Sequence, residues 1–119
     1  MNRRSAACAT VLALGLSALA MWPAAAQVPS PPFNLARAEV IAAGETLFNR
    51  SCAGKCHGLD AHAGEDAPSL RERSYLTPVV AYIMITWGRP EAAMPPWKDR
   101  LPDQDLWRLA AYVSSLQKP

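Results

Sequence analysis

Two thiols and an imidazole stand close together in the middle of this chain. The run Cys52-Ala53-Gly54-Lys55-Cys56-His57 places three residues between the cysteines and a histidine directly after the second. Thiols followed at once by an imidazole are what covalent haem attachment uses, with the ordinary spacing C-x-x-C-H. The extra residue brings the cysteines to positions i and i+4, which share one face of a helix. A helical segment, or one bulged at Gly54, could therefore still present both thiols to one ligand.

The same groups also suit a different chemistry. Thiolate and thioether ligands favour Cu(I), so Cys52, Cys56, His57 and Met94 could instead form a copper-binding module of the metallochaperone kind. The alternation of strands and helices that is typical of thioredoxin-like redox domains is not visible in the sequence. Both interpretations, haem and copper, stay open on the residues alone.

A haem iron that is bound by His57 needs its sixth ligand from the opposite face of the ring. His62 is only five residues further on, and an extended chain spans about 3.3–3.6 Å per residue, so it is a poor candidate. Met84 lies in an apolar run of helical character, which favours core packing. Met94 precedes two prolines, which would keep its loop stiff, and it is the predicted ligand. The alternative for Met94 is that it fills a gap in the core, as methionine often does.

The N-terminal residues have the pattern of an export signal. Arg3 and Arg4 precede an uncharged Ala/Leu-rich run, and three alanines at 24–26 form an A-x-A-like cleavage site. We predict that residues 1–26 are removed on export to the periplasm. An uncleaved anchor is the alternative, but Pro23 closes the apolar run before the roughly 20 residues that a membrane span needs. Without Arg3 and Arg4, the 12 Lys+Arg fall to 10 and equal the 10 Asp+Glu. A formally neutral chain is not expected to bind nucleic acid. Once the signal is cleaved, the chain is also not expected to insert stably in a membrane.

The remaining chain divides into a proline-rich tether over 27–35 and one domain over 36–119. Apolar spacing predicts a helix from 36 to about 50, which leads directly into the cysteines. A second helix is predicted over 79–87, between a Thr-Pro pair of N-cap type and a glycine. The third, amphipathic helix runs from 103 to about 117, and residues 54–73 are predicted to form a loop. Because no segment alternates like a half-buried strand, the fold class is all-α.

Four short motifs follow one another in order along the domain. They are Gly44 and Phe48 ahead of Cys52-x-x-x-Cys56-His57-Gly58, then Ala67-Pro68-Ser69-Leu70, then Met94-Pro95-x-Trp97, then Leu109-Ala110-Ala111-Tyr112-Val113. With these motifs the chain resembles the small single-haem class I c-type cytochromes. The resemblance implies three or more helices around one covalently attached haem c, with the first helix crossing the last at Leu109 and Tyr112.

The resemblance also assigns roles to individual residues. It implies thioether bonds from Cys52 and Cys56, axial ligation by His57 and Met94, and a hydrogen bond from the axial imidazole to the carbonyl of Pro68. Trp97 is a candidate donor to a haem propionate, through its indole N–H. The alternatives are an ordinary loop proline and a core aromatic residue, and a single thioether through Cys56 in place of two.

The function implied is electron transfer rather than catalysis. Iron with both axial positions filled has no open site for substrate, and His/Met ligation raises its potential. The resemblance implies a periplasmic shuttle between a dehydrogenase or quinol-oxidising complex and a terminal oxidase or reductase. A haem peroxidase or sensor with an open iron position is an enzymatic alternative, for which His62 is the one spare imidazole in the sequence. We predict that the protein is not an enzyme.

Overall fold

The computed structural model of the protein describes residues 27–64 and 66–117. Three α-helices dominate this part of the chain: α1 (Ala38–Phe48), α2 (Pro78–Trp87) and α3 (Asp103–Ser115). Within the described ranges there is no strand, and the one β-type pairing is an isolated antiparallel bridge. The predicted all-α class is confirmed. The predicted export signal, residues 1–26, lies outside the described residues.

Helices α1 and α3 cross in direct backbone contact. A Cβ atom on Gly44 would lie 2.0 Å from the carbonyl oxygen of Arg108, so only glycine fits at the crossing point. Beside it the rings of Phe48 and Tyr112 are in contact, with centroids 5.3 Å apart. The expected contact between the first and last helices is present, centred one residue earlier on α3 than Leu109. A side chain at the crossing would force the two axes apart.

Helix α2 begins and ends where its residues predict. The hydroxyl oxygen of Thr77 accepts a hydrogen bond from the backbone N–H of Val80 at 3.4 Å, and Pro78 occupies the first helical position. At the other end Gly88 has φ 70°, a conformation that glycine adopts readily. Its N–H closes the helix by donating to the carbonyl of Met84 at 2.9 Å.

An aromatic stack joins α2 to α3. The rings of Tyr82 and Trp107 lie 4.0 Å apart and are nearly parallel, at 14°. The Tyr82 hydroxyl donates to a carboxylate oxygen of Asp103 at 2.5 Å, in the first turn of α3. Trp107, Phe48 and Leu109 are the largest fully buried side chains. The three helices thus share one core, with α3 at its centre.

The structure differs from the expectation after α1. That helix was expected to reach about residue 50, but it ends at Phe48 and gives way to a π-helical segment over Asn49–His57, called the cysteine segment below. The loop predicted over 54–73 is therefore wrong for its first residues, and a short helical turn, Leu59–Ala61, follows. A wider helical turn accommodates one more residue than an α-helix, which fits the extra residue between the cysteines.

Candidate haem site

The cysteine segment carries both thiols and the adjacent histidine out of α1. The N–H of Gly58 donates to the carbonyl of Ala53 at 2.8 Å, an i to i+5 bond of the π type. Gly54 interrupts the helical path, with φ 1° and ψ −122°. Of the two forms that the sequence allowed, helical or bulged at Gly54, the segment combines both: a wide helical turn with a break at Gly54.

The two thiols have different surroundings. Both Cys52 and Cys56 are free, but Cys56 is exposed whereas Cys52 is half-buried against the core. Burial, together with the neighbouring Cys56, raises the pKa of Cys52 to about 12. Because Cys56 is exposed and Cys52 is half-buried, Cys56 is the more accessible thiol for covalent attachment.

His57 is half-buried at the end of the cysteine segment. Its ring lies 6.0 Å from that of Phe48, and its Nδ1 atom is buried without a hydrogen-bond partner. Burial lowers the pKa of His57, while the backbone of Pro68, which can only be its carbonyl, acts in the opposite direction and by less. The carbonyl therefore lies near the imidazole but outside hydrogen-bonding geometry. A neutral imidazole is the form that binds metals.

A small apolar pocket of about 60 Å³ lies beside His57. Met94 lines the same pocket, although the two residues come from segments that are far apart in the chain. The walls between them are aliphatic side chains and one further thioether: Leu70, Leu76, Ala81, Met84, Ile85 and Val113. The arrangement brings an imidazole and two thioethers to one apolar pocket.

The loop that carries Met94 is fastened to the end of α2. Arg89 and Met94 exchange both of their backbone hydrogen bonds, at 2.8 and 3.0 Å. The N–H of Trp97 donates to the carbonyl of Ile85 at 3.1 Å. A Cβ atom on Gly88 would lie 2.6 Å from the carbonyl oxygen of Met94, so the loop rests directly on this glycine. Backbone bonds, together with the prolines, hold Met94 in place.

The structure brings some of the predicted site residues together and leaves others outside the pocket. Trp97 is half-buried against the core but does not line the pocket, and Pro68 is exposed apart from its carbonyl near His57. His62 is exposed. The predicted roles of Pro68 and Trp97 toward haem stay predictions.

Three residues of the site were not anticipated. Met84, assigned to the core, also lines the pocket. Gly64 packs against the cysteine segment, where a Cβ atom would lie 2.0 Å from the carbonyl oxygen of Cys56. Gly88 was read only as a helix stop, yet it supports the Met94 loop. The pocket role of Met84 could have been inferred from the apolar run of α2, which has more apolar residues than one buried face needs. The roles of Gly64 and Gly88 depend on contacts with residues that are not their neighbours in sequence, so no local pattern reveals them.

The residues present suit haem c. A covalently attached apolar macrocycle needs an apolar pocket, thiols and ligands of the imidazole and thioether type. The pocket supplies the apolar walls, the imidazole and the thioethers, and the segment that carries His57 supplies the two thiols. The unpartnered Nδ1 of His57 also fits, because a metal-bound imidazole carries its proton on the other ring nitrogen and offers it to a nearby acceptor. Cys52, Cys56 and His57 would hold the group, and Met94 lines the same pocket as His57.

An all-α domain of this kind, with its C-x-x-x-C-H run, pocket histidine and methionine, defines a small c-type cytochrome. Residues 39–113 match the model of the family described as cytochrome c oxidase, cbb3-type, subunit III. The chain belongs to that family. Haem c is accordingly its cofactor, and the expected resemblance to c-type cytochromes is confirmed.

Individual relatives agree with this assignment. The chain is 33% identical over 87 residues to the cbb3-type cytochrome c oxidase subunit FixP of Sinorhizobium medicae. That match takes in 64% of this chain but only 30% of the relative's length. Among solved structures, cytochrome cL of the marine methylotroph Methylophaga aminisulfidivorans superposes with a TM-score of 0.60 at 28% identity. It covers 70% of this chain and 57% of that one.

A second structure, the KustC0563 c-type cytochrome, has a TM-score of 0.53 at 25% identity, covering 63% of this chain and 98% of its own. These matches favour haem over the copper-binding alternative. As to membranes, none of the helices within 27–64 and 66–117 is long and apolar enough to span one.

Proposed function

We propose that this protein carries single electrons between redox proteins, through a haem c attached at the cysteine segment and ligated by His57 and Met94. The observation that supports it most directly is that Met94 and His57, the residue directly after Cys56, line one apolar pocket. When bound, haem c supplies a one-electron couple. With both axial positions occupied by protein side chains, no open position is left for a substrate, which argues against the peroxidase and sensor alternative.

The chain's own residues would do three things for such a couple. The aliphatic walls of the pocket exclude water. The loop that carries Met94 is held by backbone hydrogen bonds, so the weak thioether ligand would bind the iron without a large loss of chain entropy. His57 stays neutral because burial lowers its pKa. A ligand set that is fixed in advance changes little between oxidation states, which favours fast electron transfer.

Docking to partners is supported by an exposed apolar row on α2 and the turn before it. Tyr75, Val79, Ile83 and Trp87 follow at four-residue spacing and are 52%, 48%, 39% and 58% exposed; they are called the α2 stripe below. The same helix lines the haem pocket on another side, through Ala81, Met84 and Ile85. An α-helix with its side chains is about 10–12 Å across. A protein that covered the α2 stripe would therefore lie about one helix diameter from the pocket.

Positive charges flank the α2 stripe at both ends. The Lys98 ammonium lies 4.6 Å from the centroid of the Trp87 ring, and Arg73 donates to the hydroxyl of Tyr75 at 3.1 Å. A redox protein with an apolar contact surrounded by carboxylates fits this surface. The donor would be a dehydrogenase or a quinol-oxidising complex and the acceptor a terminal oxidase or reductase. The FixP relative favours an acceptor of the oxidase kind. Export with loss of the signal would place the domain over 36–119, with its 27–35 tether, in the periplasm. Its contact with the redox partners would then take place there.

Counting thioether bonds on protein expressed with export and haem maturation tests the proposal. We expect a low-spin visible spectrum and haem that stays on the chain in a denaturing gel. Cys56→Ala should lose covalent haem, because the exposed thiol beside His57 is removed. Cys52→Ala should keep haem through one bond, detected by mass spectrometry of the peptide that spans the cysteine segment. A colourless wild-type protein, or one that takes up copper instead, would contradict the proposal.

A further inference from the structure

The side chain of Gln117 joins the end of α3 to a distant loop. Its amide nitrogen donates to the carbonyl oxygens of Leu70 at 2.6 Å and Val113 at 3.0 Å, and its amide oxygen accepts from the N–H of Arg73 at 2.6 Å. Leu70 and Arg73 precede Gln117 by 47 and 44 residues. Both the nitrogen and the oxygen of the Gln117 carboxamide are therefore hydrogen-bonded. They link two parts of the chain that, among the described residues, share no backbone–backbone hydrogen bond.

The loop that Gln117 holds, residues 68–73, reaches the haem pocket. Leu70 forms part of the pocket wall. Two residues before it, the carbonyl of Pro68 lies near the imidazole of His57. Within the described residues, the carbonyl of Leu70 and the N–H of Arg73 have no hydrogen-bond partner other than Gln117. A change at Gln117 would remove both of these bonds, while the N–H of Leu70 would still donate to the carbonyl of Ala61 at 2.9 Å.

A metal-bound histidine depends on such a carbonyl. Once one ring nitrogen binds the metal, the other carries a proton, and the acceptor of that proton fixes the orientation and basicity of the ring. In the structure the Nδ1 atom of His57 is buried without a partner, and the Pro68 carbonyl is the nearest acceptor that affects it. The position of the loop would therefore decide whether this bond forms.

We propose that Gln117 is a positioning residue for the haem site, which holds loop 68–73 so that the carbonyl of Pro68 stands beside the imidazole of His57. The proposal rests on the proposed function, since it takes His57 as the ligand. Gln117 itself does not line the haem pocket, and it acts only through the loop.

Hydrogen exchange in the haem-loaded, reduced full chain tests the proposal, with Gln117→Leu as the variant. Gln104→Leu is the matched control, because Gln104 is exposed on α3 and makes no side-chain hydrogen bond among the described residues. Three protons are followed by NMR: the ring N–H of His57, the amide of Arg73, and the amide of Tyr112 at the α1 and α3 crossing. We expect at least tenfold faster exchange for the first two in Gln117→Leu, and less than a twofold change for Tyr112. The control should match the wild type.

Gln117→Glu tests the two hydrogen bonds separately, because glutamate has nearly the same shape as glutamine but lacks the amide N–H groups. A carboxylate still accepts from the N–H of Arg73 but has no N–H to donate to Leu70. We expect the Arg73 amide to stay protected while the His57 ring proton exchanges faster. If the ring proton is unchanged while the Arg73 amide exchanges faster in Gln117→Leu, Gln117 only fastens the loop. If all three protons accelerate equally, its role is general stability; either result overturns the proposal. Failure of the proposed function would appear earlier, as a wild-type spectrum without a His57-ligated haem.

Discussion

His57 and Met94 meet at one pocket although 37 residues separate them in the chain. The two side chains are prepared differently for the ligand role that we propose for them. Burial keeps the imidazole neutral by lowering its pKa, whereas backbone bonds hold the methionine loop in place. A neutral His57 has no proton to lose before it binds a metal. A Met94 loop that is already held loses little chain entropy on binding.

Replacement of Met94 tests which thioether ligates the iron. In Met94→Ala we expect loss of the low-spin spectrum and a midpoint potential lower by roughly 100 mV or more, since axial ligands set haem potentials over about 0.8 V. Met84→Ala is the matched control, because Met84 lines the same pocket from α2. It should keep both the spectrum and the ligand. Visible spectroscopy with a redox titration measures both quantities, and an unchanged Met94→Ala protein would take this residue off the iron.

Residue types alone predicted much of the site. Thiols beside a histidine, and a methionine before two prolines, indicated the chemistry because few other residue types perform it. Local spacing could not show that Met84 also reaches the pocket, since a methionine in an apolar run looks the same whether it faces a core or a ligand. The role of Gln117 depends on partners 44 and 47 residues away, and no local pattern reports such a distance.

Among the elements, the helices were predictable where their ends are encoded by caps. Thr77, Pro78 and Gly88 bound α2 as expected because their side chains or backbone conformations act within a few residues. For the cysteine segment the sequence allowed a helical or a bulged backbone but did not predict the π-helical form, because π-helical backbone has no local sequence signature comparable to a cap. It depends on contacts with later residues such as Gly64, whose missing side chain leaves room for the carbonyl of Cys56.

The support that Gly88 gives to the Met94 loop leads to a prediction about this element. In Gly88→Ala the backbone must keep a conformation that costs a non-glycine residue about 1–3 kcal/mol, and the new methyl would meet the carbonyl of Met94. We expect a lower unfolding midpoint and partial loss of methionine ligation, measured by chemical denaturation and by the visible spectrum.

Ala93→Gly is the corresponding control in the same loop. Ala93 already has φ 58°, so glycine relieves this position and Met94 should remain bound. A Gly88→Ala protein with wild-type spectrum and stability would show that the loop yields easily, contrary to the contact described.

For the whole molecule, the α2 stripe is the exposed feature that the core does not explain. Four of the six large hydrophobic residues that are exposed in the described chain belong to it. The sequence predicted a helix here but not which face stays uncovered, because α2 is apolar on nearly all sides. Only the packing of α3 and the Met94 loop against α2 decides that the stripe faces outward.

A charge placed in the stripe should impair docking without changing the haem site. In Ile83→Glu we expect the second-order rate of electron transfer to oxidase-containing membranes of the source organism to fall roughly tenfold, about 1.4 kcal/mol. The midpoint potential should be unchanged. Gln104→Glu introduces the same charge on an exposed position of α3 and serves as the control. The rates are measured by oxidation of the reduced protein at low and high salt. Equal rates for the two variants would assign docking to another face.

The crossing of α1 and α3 at Gly44 and Arg108 also determines the order in which the domain can fold. These residues are 64 positions apart, so their contact closes a long loop, and long-range contacts of this kind slow folding. The cysteine segment is synthesised well before α3. Its thiols therefore lie in unfolded chain until α3 is made and completes the core. Maturation therefore has a period in which both thiols, including the one that becomes half-buried, are equally accessible.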